Sequence, residues 1–196
     1  VLTNNSLDIF KGSKPIIDSK KIQVKPNFIE DIALDAAPKR LNQFLYVGRL
    51  SQEKGIDVLL DAFATLPYQL IIIGDGPLKS KVENYCTLHR NITNLGFQPK
   101  PIIIKELIKT SALIFPSIWL ETFGLTIIEA FATGTPVIAS NQGSASLLIK
   151  DGFNGLHFKP ENIKDLQRIV TKWVNLKILF NNYFLYVRRF IGLHFE

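Results

Sequence analysis

The chain has 196 residues, 46% hydrophobic and 20% charged, the balance of a globular protein with enough chain for one sizeable core. No apolar run approaches the roughly 20 residues that cross a bilayer, and a single cysteine, Cys86, excludes an internal disulfide. The net charge of +6 suits an anionic partner (a nucleotide, a nucleic acid or an acidic membrane surface) without choosing among them.

The first 40 residues are mixed. Lys20 to Lys25 has the pattern of a short strand ending at Pro26-Asn27, and Asp31 to Lys39 that of a weak helix or loop. The chain contains no Met and opens without a basic and then apolar leader, so it reads as a piece of a longer protein. From Phe44 the pattern becomes regular. Short apolar runs at 44–47, 70–73, 92–95, 112–115, 137–139 and 155–158 each end near Gly, Pro or another turn former. Between them lie helical patterns over Ile56 to Leu66, Leu78 to His89, Ile102 to Thr110 and Leu125 to Ala132, with a last one over Ile163 to Val174.

Continuous apolar strands separated by helices predict an α/β fold, a doubly wound, six-stranded parallel Rossmann-like sheet covered on both faces. Such a sheet commonly runs in the order 3-2-1-4-5-6, and ligands bind beyond the carboxyl ends of the strands where that order reverses. The reversal falls between the first and fourth strands. The loops after Val47 and after Phe115 are therefore the ones to inspect.

The first loop reads Gly48-Arg49-Leu50-Ser51-Gln52-Glu53-Lys54-Gly55. Gly48 permits close backbone approach to a ligand. Arg49 offers a planar fork and Lys54 a mobile point charge, which together match a diphosphate without a metal. A solvated turn fits the same residues. The second loop carries Glu121 before a helix and Glu129 in its second turn. Eight positions is about 80° beyond two full turns, so the two carboxylates can hold different parts of an extended ligand. The amides around Phe123, Gly124 and Leu125 can receive phosphate or sugar oxygens, and a helical carboxylate suits the two hydroxyls of a ribose. Alternatively, Glu121 is an acid favoured by the helix dipole and Glu129 a surface acid.

At these residues the sequence resembles the C-terminal domain of the retaining glycosyltransferases of GT-B fold, the glycogen-synthase- and sucrose-synthase-like group. The resemblance covers roughly residues 20–175. It rests on Pro26-Asn27, Gly48-Arg49, Glu53-Lys54-Gly55, Gly74-Asp75-Gly76-Pro77, Glu121-Thr122-Phe123-Gly124-Leu125 with Glu129, Gly134-Thr135-Pro136, Asp151-Gly152 and Asn154-Gly155-Leu156. It implies that Arg49 and Lys54 bind the donor diphosphate and stabilise the leaving nucleotide. It further implies that Glu129 holds the ribose and that Glu121 contacts the donor sugar beside the Phe123, Gly124 and Leu125 amides. No metal or other cofactor is implied, and no His, Cys or Asp cluster has metal-ligand spacing.

The resemblance divides the chain into a segment or interdomain linker at 1–20, a nucleotide-sugar-binding domain at 21–175 and an aromatic-rich helical tail at 176–196. It implies a nucleotide-sugar donor as partner, an acceptor held by an N-terminal domain this chain lacks, and a cytoplasmic hexosyltransferase, as in polysaccharide biosynthesis. The isolated chain is expected to bind nucleotide and not to turn over. A non-catalytic nucleotide-binding or regulatory module of the same fold is the alternative. Nucleic acid is disfavoured, since the charge is spread along the chain and no recognition motif is present.

Some positions depart from the family pattern. The usual Gly-Gly pair is Gly143-Ser144 here, the Glu that follows is Leu147, and Phe28 replaces the Gly after Pro26-Asn27. The tail around Tyr183, Phe184, Tyr186, Arg188 and Phe190 reads as a face docking on the missing domain, as core, or as a peripheral membrane contact. Cys86 is expected to be a buried structural thiol. His89, His157 and His194 are expected to be structural or exposed. Trp119 and Trp173 are read as packing groups, with Trp119 also placed to wall the site, and the base contact is assigned to Gly96-Phe97-Gln98.

Overall fold

The short apolar runs become six strands because each can bury both of its faces beneath helices. A computed structural model describes residues 40–177 together with Gln23 and Ile32. The strands are β1 Gln43–Val47, β2 Gln69–Ile73, β3 Ile92–Asn94, β4 Ala112–Phe115, β5 Val137–Ser140 and β6 Gly155–Phe158. All pairings are parallel, in the order β3-β2-β1-β4-β5-β6. The expected α/β fold and strand order are both found.

The helices are α1 Ile56–Phe63, α2 Lys79–Leu88, α3 Lys100–Lys109, α4 Leu125–Ala132, α5 Gly143–Leu148 and α6 Ile163–Lys177. A short 3-10 turn, Gln52–Lys54, precedes α1. The largest differences from the sequence reading at element ends are at α1, which stops at Phe63 rather than Leu66, and α6, which reaches Lys177 rather than Val174. Helix α5 is unforeseen, because six residues are too few to show a helical period. The strand expected at Lys20 to Lys25, the helix or loop at Asp31 to Lys39 and the tail beyond Lys177 lie outside the described residues.

Alternation along the strands sends side chains to two cores. Phe44 and Tyr46 of β1 join Ile72, Ile114 and Phe158 beneath α1 and α6. Leu45 of β1 joins Leu113, Val137 and Ala139 beneath α3, α4 and α5. Trp173 of α6 is buried, and its indole Nε1 donates to Ser111 Oγ at 3.0 Å, the partner that a buried indole requires. Among the described residues no helix is long and apolar enough to cross a membrane.

At the amino-terminal end of the sheet, Arg40 enters just ahead of β1. Its guanidinium donates to the carbonyls of Leu107 (3.1 Å), Ile108 (3.2 Å), Thr110 (3.0 Å) and Thr133 (3.0 Å) and to Thr135 Oγ1 (2.8 Å). These acceptors end α3 and α4, where the helix dipoles favour a cation. Burial lowers the Arg40 pKa to about 10, so the side chain stays charged at neutral pH.

Candidate active site

The site is built at the carboxyl ends of the strands. The chain leaves β1 through Gly48, whose N–H donates to Ile73 O at 3.0 Å. A Cβ on Gly74, which follows β2, would lie 1.9 Å from Gly48 O, so this close approach needs a glycine. Beneath the loop, the buried Tyr46 hydroxyl donates to Arg49 O at 2.7 Å. Burial, with the carboxylates of Glu121 and Glu53 nearby, pushes the Tyr46 pKa up and keeps it a donor.

Arg49 is exposed and lines a cleft of about 280 Å³ with Gly48, Gly74, Phe97, Gln98 and Ile103. This cleft lies beyond β1, β2 and β3, one strand to the side of the reversal point. Phe97 is 76% exposed at its rim, a flat apolar surface of the kind on which a base stacks. The segment assigned to the base contact thus stands at the cleft that Arg49 lines.

At the reversal point itself the two predicted loops are joined. Lys54 Nζ pairs directly with the Glu121 carboxylate, which also accepts from Ser117 Oγ at 2.9 Å. The backbones are joined as well: Ile118 N donates to Glu53 O at 2.9 Å. Gly55, at φ 72°, lets the loops meet, since a Cβ there would lie 2.0 Å from Pro116 O. Gln142 Nε2 donates to Ser117 O at 2.9 Å, fixing the second loop from β5's side. Ser51 Oγ donates to Glu53 Oε1 at 2.5 Å, and that bond holds the Glu53 carboxyl below its usual range.

Helix α4 begins after Gly124, at φ 76°, with Phe123 buried beneath it and Leu125 exposed. Glu129 is mostly buried in its second turn, and burial raises its pKa. Lys100 opposes that shift, with Nζ 3.7 Å from Glu129 Oε1. Lys100 is the residue that sequence reasoning missed: a lysine at a helix start looks like a solvated charge, and only tertiary packing sets it on the carboxylate of another helix. The structure thus brings Lys54 to Glu121 and Lys100 to Glu129, and sets Arg49 and Gly48 on the cleft.

Two expectations are corrected. Trp119 is no packing group but 68% exposed, because its loop is pinned through Ile118 and Ser117 and turns the indole outward. Cys86 is half-buried rather than buried, because it packs at the margin of the first core rather than within it; burial still pushes its thiol pKa up. Leu147, where the family has an acid, is exposed on α5 and bears no charge to offer the site. His157 is structural, with Nδ1 2.9 Å from Asp151 Oδ1 and Nε2 3.2 Å from Ala145 O, and His194 lies outside the described residues. Among the described residues no group of His, Cys, Asp or Glu could hold a metal ion.

Glu129 yields a pH prediction with a definite sign. A carboxyl whose folded pKa is raised binds more protons folded than unfolded, so its stability contribution is full below the unfolded pKa of about 4.3 and is lost as pH rises through the folded value. Glu129→Gln removes this loss. We expect the ligand-free variant to melt above the native chain at pH 7 and the difference to close towards pH 4, read by circular dichroism across that range.

A doubly wound sheet of this order defines a Rossmann-like α/β domain, and solved structures of GT-B glycosyltransferases share it. A TarM variant of S. aureus, solved with fondaparinux, alpha-GlcNAc-glycerol and UDP, superposes with a TM-score of 0.86 at 23% identity, over 100% of this chain and 40% of that one. HepE of Anabaena in complex with UDP superposes with a TM-score of 0.68 at 25% identity, over 79% of this chain and 45% of that one. Residues 28–188 match the model of the glycosyl transferases group 1, and the chain belongs to that family. It is also 33% identical over 133 residues to an uncharacterized glycosyltransferase of Methanocaldococcus jannaschii, covering 67% of this chain and 38% of that protein. The chain spans less than half the length of the curated relatives it matches.

Proposed function

We propose that this chain is the donor half of a retaining sugar transferase of the glycogen-synthase- and sucrose-synthase-like group. It binds a nucleoside-diphosphate sugar for transfer of a hexosyl group to an acceptor held by another domain. The observation that carries the reading is the joining of the two switch-point loops, which sets Lys54 and Glu121 side by side next to the cleft that Arg49 and Phe97 line. In this reading the base stacks at Phe97, and Glu129 accepts from the ribose hydroxyls. Arg49 and Lys54 neutralise the diphosphate and the charge that develops on it as the sugar leaves. Glu121 turns from Lys54 to the sugar hydroxyls, oriented by Ser117, with the Phe123, Gly124 and Leu125 backbone alongside. Two cations, Arg49 and Lys54, replace the metal that many diphosphate sites use. The glycosyl bond is broken only when an acceptor is in place, so the chain alone binds without turnover.

The test is calorimetric titration of the chain with UDP, GDP, ADP and CMP and their sugar conjugates, with Glu129→Ala in parallel. One nucleoside diphosphate binds, and the substitution abolishes that binding. A ligand at 100 times its dissociation constant then adds about 2.7 kcal/mol of stability in a thermal shift. Binding of none of them, or unchanged binding to Glu129→Ala, overturns the assignment. Sugar transfer by the isolated chain would overturn the need for a second domain.

A further inference from the structure

The amino-terminal end of α4 has no side-chain cap, and its first amides lack acceptors within the helix by geometry. Over this end lies Ser144, the second residue of α5. Its backbone N–H donates to Glu121 O at 2.9 Å, so it is tied to the carboxylate loop. Its Oγ sits 3.1 Å from the point that a Gly124 Cβ would occupy. Ser144 is 2% exposed, and among the described residues its hydroxyl is the buried side-chain polar atom left without a hydrogen-bond partner. A buried hydroxyl with nothing to bind is costly, and protein interiors rarely tolerate one without reason. Here the orphan lies against a helix end that is itself short of acceptors. Both deficits are met by a single anionic oxygen arriving with a ligand.

We propose that Ser144 is a ligand-contacting residue that gives the site its preference for a diphosphate over a monophosphate. Its hydroxyl donates to an oxygen of the distal phosphate as that phosphate settles on the α4 amides. Rotation about one bond between staggered positions re-aims the hydroxyl from Gly124 towards the ligand. Helix amides with a hydroxyl beside them are phosphate-binding chemistry. The position in the fold selects the distal phosphate. The base cleft lies beyond β1, β2 and β3, whereas α5 follows β5, so a ligand anchored at Phe97 meets Ser144 only at its far end. Ser144 stands where the family pattern has a second glycine, so the contact belongs to this chain.

The inference rests on the donor-site reading, and its test separates the two. The chain, Ser144→Ala and Ser144→Gly are titrated with uridine, guanosine and adenosine diphosphates and with the matching monophosphates, and their ligand-free melting is recorded. For the diphosphate that the native chain binds, both substitutions weaken binding about tenfold, the loss of one charge-assisted hydrogen bond. The matching monophosphate changes by less than about twofold. Ligand-free Ser144→Ala melts at or above the native temperature, because an orphan has been removed. Equal losses for diphosphate and monophosphate, or a clear fall in ligand-free melting, assign Ser144 a structural role and overturn the proposal. Unchanged diphosphate binding removes Ser144 from the site and leaves the donor-site reading standing. Failure of the native chain to bind any diphosphate overturns both.

Discussion

Gly55→Ala will separate the two loops of the site and lower the melting temperature by roughly 8–16 °C. Two costs combine. The left-handed conformation at φ 72° costs about 1–2 kcal/mol for a residue with a Cβ. The new Cβ would lie 2.0 Å from Pro116 O, and backbone cannot yield as a side-chain end can. Relief requires the segment at Pro116 to retreat, which strains the bonds of Ile118 and Ser117 to Glu53 O. The total is about 4 kcal/mol, and for a domain of this size each kcal/mol is about 2–4 °C. Gly152→Ala is the control. Gly152 has φ 76°, and a Cβ there meets nothing within 4 Å, so it bears the conformational cost alone. Differential scanning calorimetry of both variants isolates the steric part. Equal shifts would mean that the loops are not held together at Pro116.

Lys54→Ala produces the opposite balance, a small loss of stability and a large loss of ligand. The pair with Glu121 is partly exposed, with side chains 31% and 20% accessible, so removing it costs the ligand-free fold at most about 1 kcal/mol. A cation donating to a phosphate contributes about 1.5–3 kcal/mol, so affinity for the cognate nucleoside diphosphate falls roughly 10- to 150-fold. Glu121→Gln separates the two roles of the acid. Without its charge Lys54 is released from its internal partner, and the free nucleoside diphosphate binds more tightly. The sugar conjugate loses that advantage, because the carboxylate that the proposed function assigns to the sugar is gone. Calorimetry on both ligands reads the crossover. Parallel effects on the two ligands would remove Glu121 from the sugar.

The sheet was legible because its signals are local. Each strand is an apolar run bounded by a turn former, and Phe44 to Val47 or Leu70 to Ile73 permit few other readings. The site loops followed from topology, since the switch point depends only on strand order. Side-chain partnerships were not legible. Lys54 and Glu121 were read as separate contacts to a ligand, yet in the structure they bind each other. Lys100 meets Glu129 only because α3 and α4 pack side by side. Ser144 looked like a lost glycine; its meaning lies in an oxygen without a partner, a property of three-dimensional packing.

The stitching of the two loops also has a kinetic side. Lys54 and Glu121 are 67 positions apart in the chain, and Ser117 and Glu53 are 64 apart. Between them lie β2, β3, β4 and three helices, all of which must be placed before the loops can meet. Contacts this distant in sequence form late, because the entropy of closing a long loop is spent before they repay it. A partly folded chain can therefore hold much of its helix and sheet and still lack the proposed nucleotide site. Under the proposed function, competence to bind follows only once these two loops have met.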